Sequence, residues 1–456
     1  MATGITTALV DYSQSLKYED IPPEVLERTK QMLLDFLGVA YGGLAVAESS
    51  APIVDGVLEL ASGAEGRSVV LGRQERLPAH YAALLNATFA HSMDFDDTHR
   101  EAVIHVGTPL FATLLALAGE HDVSGQEFLT AAVAGYDVTG KVGKAHGGAV
   151  HARGFHPTAT TGVFGCAAAG GRLLGYSGER IANALGLNVS QSAGSTQFLE
   201  NGAWNKRFHT GLTAHNAILS LVMARHGYLG ATSPLEGAHG YFALYADGAD
   251  GAERALDGLG SEFEVMNTAV KPYPCCRYSH ATIDAVSDIV RAESLAAADV
   301  ESVDIAMGET GYGLVADPAE AKRSPSNVVE GQFSVYFAAA VAASRGAYAW
   351  ADYDRLDDPE VRRLMQGASV RLVDGVGAGM ETTVALRTAS GRTIERSVQF
   401  PKGEPENPMS WDEMQAKFME WSAPAIGEER ARRVIEQVSA LESLGSMREL
   451  AAGLGV

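Results

Sequence analysis

Five Ala-rich segments that are apolar on several faces at once constrain this chain more than any other feature. They are AHYAALLNATFAHSMDF, TPLFATLLALAGEH, GQEFLTAAVAGYDVTGKVGKA, TATTGVFGCAAAGGRLLG and TGLTAHNAILSLVMARHGYLG. A helix that is apolar nearly all round has to be buried. Several such helices imply a bundle whose centre is other helices, with Ala and Gly permitting close approach. Upstream, PPEVLERTKQMLLDFLGVAYGG opens on two prolines and runs apolar at helical spacing. A helix is predicted there that stops at Gly42 and Gly43.

The texture changes near residue 267. DVESVDIAMG and SVRLVDG read as strands, and ETTVALRTASGRTIERSVQF reads as a hairpin about an Ala-Ser-Gly turn. VVEGQFSVYFAAAVAASRG between them reads as one helix. After Pro401, SWDEMQAKFMEW and GEERARRVIEQVSALESL return to amphipathic helix. With 456 residues, too many for one simple core, the expected fold is mainly α. A large helical domain, 1–266 and 403–456, is interrupted by a smaller α+β domain over 267–402.

The net charge of −21 argues against nucleic acid and anionic membranes as partners. If the substrate is an anion, its site must gather cations against that field. The three cysteines, Cys166, Cys275 and Cys276, form no disulfide framework, and adjacent Cys275 and Cys276 are poorly placed to pair. A reducing compartment follows. The N-terminal stretch has no signal-like apolar core, and no run of 18 apolar residues occurs. A cytoplasmic protein is expected.

All 13 histidines fall between His80 and His280, which points to several lining one cavity, although buried helices also tolerate neutral histidine. Four segments concentrate the chemistry. HSMDFDDTHREAVIHVGTP sets Asp94, Asp96 and Asp97 near His91, His99 and His105. That spacing suits acid–base work, a divalent metal, or a capped polar loop after a helix. In HARGFHPTATTG, His156 precedes Pro157 at a helix start, where free N–H groups and the dipole attract carboxylates. In QFLENGAWNKRFHTGLTAHNAILS, Lys206 and Arg207 stand just before an apolar helix. A bound carboxylate or plain solvent accounts for them equally well. AVKPYPCCRYSHATIDAV carries Lys271, Cys276, Arg277 and His280 at the expected domain boundary, where clefts form. The bland reading there is a linker with incidental charge.

Other matches carry less. GYDVTGK at 135–141 has phosphate-loop spacing, but Val142 replaces the hydroxyl residue and the preceding segment is helical. The alternating glycines of DGVGAGM at 374–380 precede a strand rather than a helix. His121-Asp122 lies in an expected loop, and the sequons at Asn86 and Asn188 lack a secretion signal.

Taken in order, HSMDFDDTH with His105, GFHPTATTGVFGCAAA, SQSAGSTQFLENGAWNKRFHTGLTAHNAI, PLEGAHGYF and VKPYPCC resemble the MmgE/PrpD family. That family includes 2-methylcitrate dehydratases, cis-aconitate decarboxylases and iminodisuccinate epimerases. The resemblance runs through nearly the whole chain. It implies a helical domain built from both chain ends, an inserted lid, a homodimer, and catalysis with no metal or organic cofactor. The catalytic positions it implies are Asp94, His105, His156, Lys206 and Lys271. Two positions depart from the family's branches. Cys276 stands about where the decarboxylases carry a histidine, and Val-Gly-Thr-Pro follows His105 where a His-Pro-Ser form marks 2-methylcitrate dehydratases.

The expected protein is a lyase that takes a proton next to a carboxylate of a small polycarboxylic acid. Dehydration of a citrate-like acid is the first reading, and epimerisation or decarboxylation the second. His105 and His156 are the acid–base pair, with Asp94 orienting one of them. Lys206 and Lys271 bind carboxylates, and Arg207, Asp97, His99, Cys276, Arg277 and His280 contact substrate. A metal-dependent hydrolase built on Asp94 and His105 is the alternative from another class, and a helical dimeric binding protein the non-enzymatic one.

Overall fold

The computed structural model describes residues 4–246, 248, 251–373 and 380–456. In chain order its helices of eight residues or more are α1 Ile5–Ser15, α2 Pro23–Val46, α3 Ser50–Ala61, α4 Ala79–His91, α5 Gly107–Glu120, α6 Gly125–His146, α7 Pro157–Leu173, α8 Gly178–Asn188, α9 Asn205–Arg225, α10 His280–Glu293, α11 Val335–Arg345, α12 Pro359–Gln366, α13 Trp411–Ile426, α14 Glu428–Ser439 and α15 Met447–Leu454. The strands are β1 Ser68–Val69, β2 Arg76–Leu77, β3 Thr98–His99, β4 Thr268–Ala269, β5 Val300–Met307, β6 Ala368–Leu372, β7 Thr382–Thr388 and β8 Thr393–Val398. The mainly α class is therefore present. Two compact units divide the chain. One comprises 1–198, 204–270 and 410–456, the other 199–203 and 271–409.

In the first unit α4 packs on α2, α5 and α9, α6 on α7, and α13 on α2. Helix α2 does not stop at the glycine pair; it runs on to Val46. A Cβ on Gly43 would lie 1.9 Å from the Phe89 carbonyl oxygen, and one on Gly42 would lie 2.5 Å from the Met93 sulfur. The pair therefore serves close helix packing against α4 and its C-terminal end rather than termination. Helix α9 starts at Asn205, so Lys206 and Arg207 occupy its first turn rather than a preceding loop. The stretch 135–141 lies inside α6, as its helical reading requires.

In the second unit four strands run in the order β6-β5-β7-β8. β5 and β6 are parallel, with Ile305 opposite Val370, and β7 and β8 form the antiparallel hairpin. The segment expected as one helix is broken. Val328–Gln332 ends before Ser334, whose Oγ accepts the Phe337 amide and caps α11. Ile283, Val286, Val303, Ile305, Phe337 and Leu386 form part of this unit's core. Of the 374–380 glycine motif, only Met380 lies within the described residues. Among the described residues no single helix is long and apolar enough to cross a membrane.

Candidate active site

Helix α4 ends at His91, and the chain then turns through 92–97 into β3. Asp94 adopts the left-handed region (φ 51°), which aspartate tolerates better than most residues, and its amide donates to the His91 carbonyl at 3.1 Å. Its carboxylate takes the ammonium of Lys206. A cation in the first turn of a helix meets the positive end of the dipole, so Lys206 is placed where it needs an anion.

Asp96 is the hub of the loop. Its Oδ2 accepts from His91 Nδ1 at 2.8 Å and from Thr108 Oγ1 at 2.6 Å. Its Oδ1 lies 3.3 Å from His105 Nδ1, a longer and less well aligned contact. Burial alone would raise the Asp96 carboxyl, but His105 and His91 beside it hold it well below the usual carboxylate range. An ionised carboxylate only accepts, so His91 Nδ1 carries its proton and His91 Nε2 is left as a lone pair, buried with no hydrogen-bond partner among the described residues. His105 Nδ1 lies between Asp96 Oδ1 and Thr98 Oγ1, the latter at 3.4 Å, and its Nε2 lies 4.0 Å from Asp94 Oδ1. Burial takes His91 down to about 3, so its ring is neutral.

His156, the residue before α7, has its amide on the Gly194 carbonyl at 2.8 Å, and the His105 amide donates to Thr158 Oγ1 at 3.1 Å. The second bond ties the His105 backbone to the first turn of α7, which His156 precedes. Ring centroids of His105 and His156 are 6.4 Å apart, those of His91 and His105 4.5 Å, and His156 Nδ1 is 3.3 Å from His209 Nδ1. Burial first, and then Lys206, hold His156 well below its ordinary value and bring His209 down to about 4. His91, His156 and His209 are thus buried neutral imidazoles, set with His105 beside one ammonium and two aspartates.

Two of the expected contact residues are otherwise engaged. Both oxygens of Asp97 accept the Gly107 amide at 3.0 Å, and Oδ2 also takes the Tyr136 hydroxyl at 2.9 Å, so Asp97 caps the start of α5. His99 accepts the Ala102 amide at Nδ1 and bonds Glu264 through Nε2 at 2.9 Å, which leaves neither nitrogen for a substrate. Glu264 also receives Lys141 and Lys144 and stands next to β4, which pairs with β3. Both residues therefore hold the loop in place. Arg207, next to Lys206, bonds Ser49 Oγ at 3.1 Å and no member of the imidazole cluster.

Lys271, Cys276, Arg277 and His280 belong to the second unit, and all four are buried. The Cys276 amide donates to the Gln332 carbonyl, and His280 Nε2 lies 3.3 Å from the Cys275 carbonyl. Arg277 is closed by Glu404 at 2.6 Å and 2.7 Å through one nitrogen, with Nε and Nη1 buried without partners among the described residues. The structure thus brings Asp94, His105, His156 and Lys206 together in the first unit. Sequence reasoning gave the orienting role to Asp94, whereas Asp96 contacts both His91 and His105. It also left His91 and His209 without a role. The crowding of histidines between 80 and 280 was the available signal for both.

One ligand atom from each of His91, Asp94, Asp96 and His105 lies within 4.8 Å of the others. The four therefore also form a nitrogen and oxygen donor set of the kind divalent metals accept. Lys206 competes for Asp94 within that set.

A large helical unit carrying buried acid–base residues, joined to a small α+β unit, matches one family along the chain. The MmgE/PrpD N-terminal domain model covers 7–253 and the C-terminal domain model covers 273–443. The chain belongs to the MmgE/PrpD family. It is 27% identical to the cis-aconitate decarboxylase-like protein oryM of Aspergillus oryzae, over 98% of this chain and 97% of that one. It is 26% identical to the cis-aconitate decarboxylase of Aspergillus terreus over 98% and 95%, and 25% identical to that of Mus musculus over 97% and 92%.

Proposed function

We propose that this protein is a lyase acting on a small polycarboxylic acid, with decarboxylation of a cis-aconitate-like substrate as its reaction. The observation that carries the reading is the setting of His105. Its Nδ1 faces the Asp96 carboxylate, its Nε2 looks toward Asp94, and the ammonium of Lys206 adjoins them. A proton taken up by Nε2 places positive charge between two carboxylates, which offset it. Lys206 meets a substrate carboxylate by exchanging its bond to Asp94 for one to the ligand. His156, neutral and 6.4 Å away, is the second proton-handling group.

Sequence reasoning put dehydration first. The names of the relatives, matched over almost the whole chain, shift the weight to decarboxylation. Dehydration of a citrate-like acid remains the second reading, favoured by Cys276 standing where decarboxylases carry histidine. The same family reading makes the chain a homodimer, supported by exposed Leu219, Met223, Tyr228 and Leu229 at the C-terminal end of α9. Carbon-13 NMR of purified protein with cis-aconitate is the test. Release of CO₂ with a five-carbon diacid supports decarboxylation. Turnover only of 2-methylcitrate or citrate to an alkene supports dehydration, and no turnover of any of them sinks both.

A further inference from the structure

A cavity of about 390 Å³ opens among α3, α4 and the first turn of α9. Its walls are apolar, formed by Pro52, Ile53, Trp204 and Phe208, and its single charged lining residue is Arg207. The Arg207 side chain is buried, with the whole residue 7% exposed. A guanidinium offers five N–H donors. Among the described residues just one is used, from Nη1 to Ser49 Oγ at 3.1 Å, and no carboxylate stands within 4 Å. Its Nε and Nη2 are not sealed in protein, unlike Nε and Nη1 of Arg277, and the residue that carries them lines the cavity. Burial lowers Arg207 to about 10, partly offset by the more distant Asp94 and Glu48, and the group stays charged at neutral pH.

We propose that this cavity binds a small monoanion with a hydrocarbon body, of the short-chain carboxylate class, through the Arg207 guanidinium. One cation with planar paired donors suits one carboxylate head. A second charge on the ligand would find no charged protein partner in the lining, whose other polar members are the neutral Ser49, Thr88 and Asn205. The volume falls in the range of small-ligand pockets. The hydrogen bond of Arg207 goes to Ser49, whereas Lys206 bonds Asp94, so the two cations serve different contacts.

Trp204 lines the cavity and is 40% exposed, which makes it a reporter. Hexanoate titrated into the full chain should change tryptophan emission saturably, and uncharged hexanol at equal concentration should not. Trp204→Phe should remove the signal while calorimetry still detects binding. Arg207→Met should weaken binding tenfold or more, the size of one charge-assisted contact. Ile53→Trp, which fills the cavity and leaves Arg207 in place, should block binding even if Arg207→Met fails to fold. Retention of hexanoate binding by His105→Ala separates this site from the catalytic one. The proposal is overturned by no saturable binding, by equal binding in Arg207→Met, or by loss of binding in His105→Ala.

Discussion

The ammonium of Lys206 is bonded to the carboxylate of Asp94, a residue 112 positions earlier that sits in the left-handed backbone region. Neither residue is comfortable alone. The lysine stands at the positive end of α9, and the aspartate is 3% exposed beside Asp96. Each offsets the other's cost, and a substrate carboxylate can take the place of Asp94.

Lys206→Ala should therefore weaken binding of a tricarboxylate inhibitor by about tenfold or more, the value of a charge-assisted contact. Lys271→Ala tests the second lysine implied by the family in the same way. Calorimetric titration of folded variants decides the matter. Affinities equal to the parent in both would remove the lysines from the site.

Asp97 gives the stability a pH dependence of known sign. Burial first, and then Asp96, push its carboxyl up to about 8. The folded chain thus keeps a proton that the unfolded chain releases near pH 4. The stability gained from that proton is full below about pH 4 and is lost as pH rises to about 8. Asp137, pushed up to about 7 mainly by burial, contributes the same slope over a shorter window. Asp97→Asn removes the first contribution. Its Tm should fall less than the parent's between pH 5 and 9 by circular dichroism, and parallel curves would show that Asp97 is ionised throughout.

The far end of the chain supports the site. Lys417 on α13 donates to Asp35 at 2.6 Å and to the Phe95 carbonyl at 2.8 Å, with its ammonium 3.7 Å from the Phe95 ring centroid. Lys417→Met strands the buried Asp35 and should cost roughly 3–5 kcal/mol of stability. Adding Asp35→Asn should recover much of it. Urea unfolding of the single and double variants measures both, and a single variant as stable as the parent would contradict the pairing.

Activity should survive exhaustive EDTA treatment. The donor set of His91, Asp94, Asp96 and His105 has the size of a metal site, but Lys206 stands on one of its carboxylates as a competing cation. Loss of turnover on chelation, restored by a divalent ion, would favour the hydrolase reading.

The helical core was legible because Ala-rich segments with apolar residues on every face have nowhere to go but inside. The resemblance grouped Asp94, His105, His156, Lys206 and Lys271; the structure brings the first four together, and Lys271 belongs to the other unit. Asp96 could not be told from Asp94 and Asp97, because three aspartates in one loop differ only in backbone angle and in partners brought by α5 and α9. His99 looked like part of the site until Glu264, 165 residues later, took its Nε2. Lys417 lies 322 residues from Phe95, and no local pattern announces such a contact. The end of α2 was misread because Gly42 and Gly43 look like a stop signal when their use is contact with α4 and its C-terminal end.

The central claim is that His105, oriented by Asp96, moves the proton at the carbon next to a carboxylate. Proton NMR in D₂O, with cis-aconitate, citrate, 2-methylcitrate and iminodisuccinate offered to the parent, His105→Ala and Asp96→Asn, tests it most directly. The account predicts that the parent incorporates deuterium at one carbon of the product formed from cis-aconitate. His105→Ala should lose about 10²–10⁴-fold in rate, and Asp96→Asn should lose activity with its fold intact. Retention by His105→Ala of more than about a tenth of parental kcat would contradict the assignment and pass the proton to Lys206 or His156.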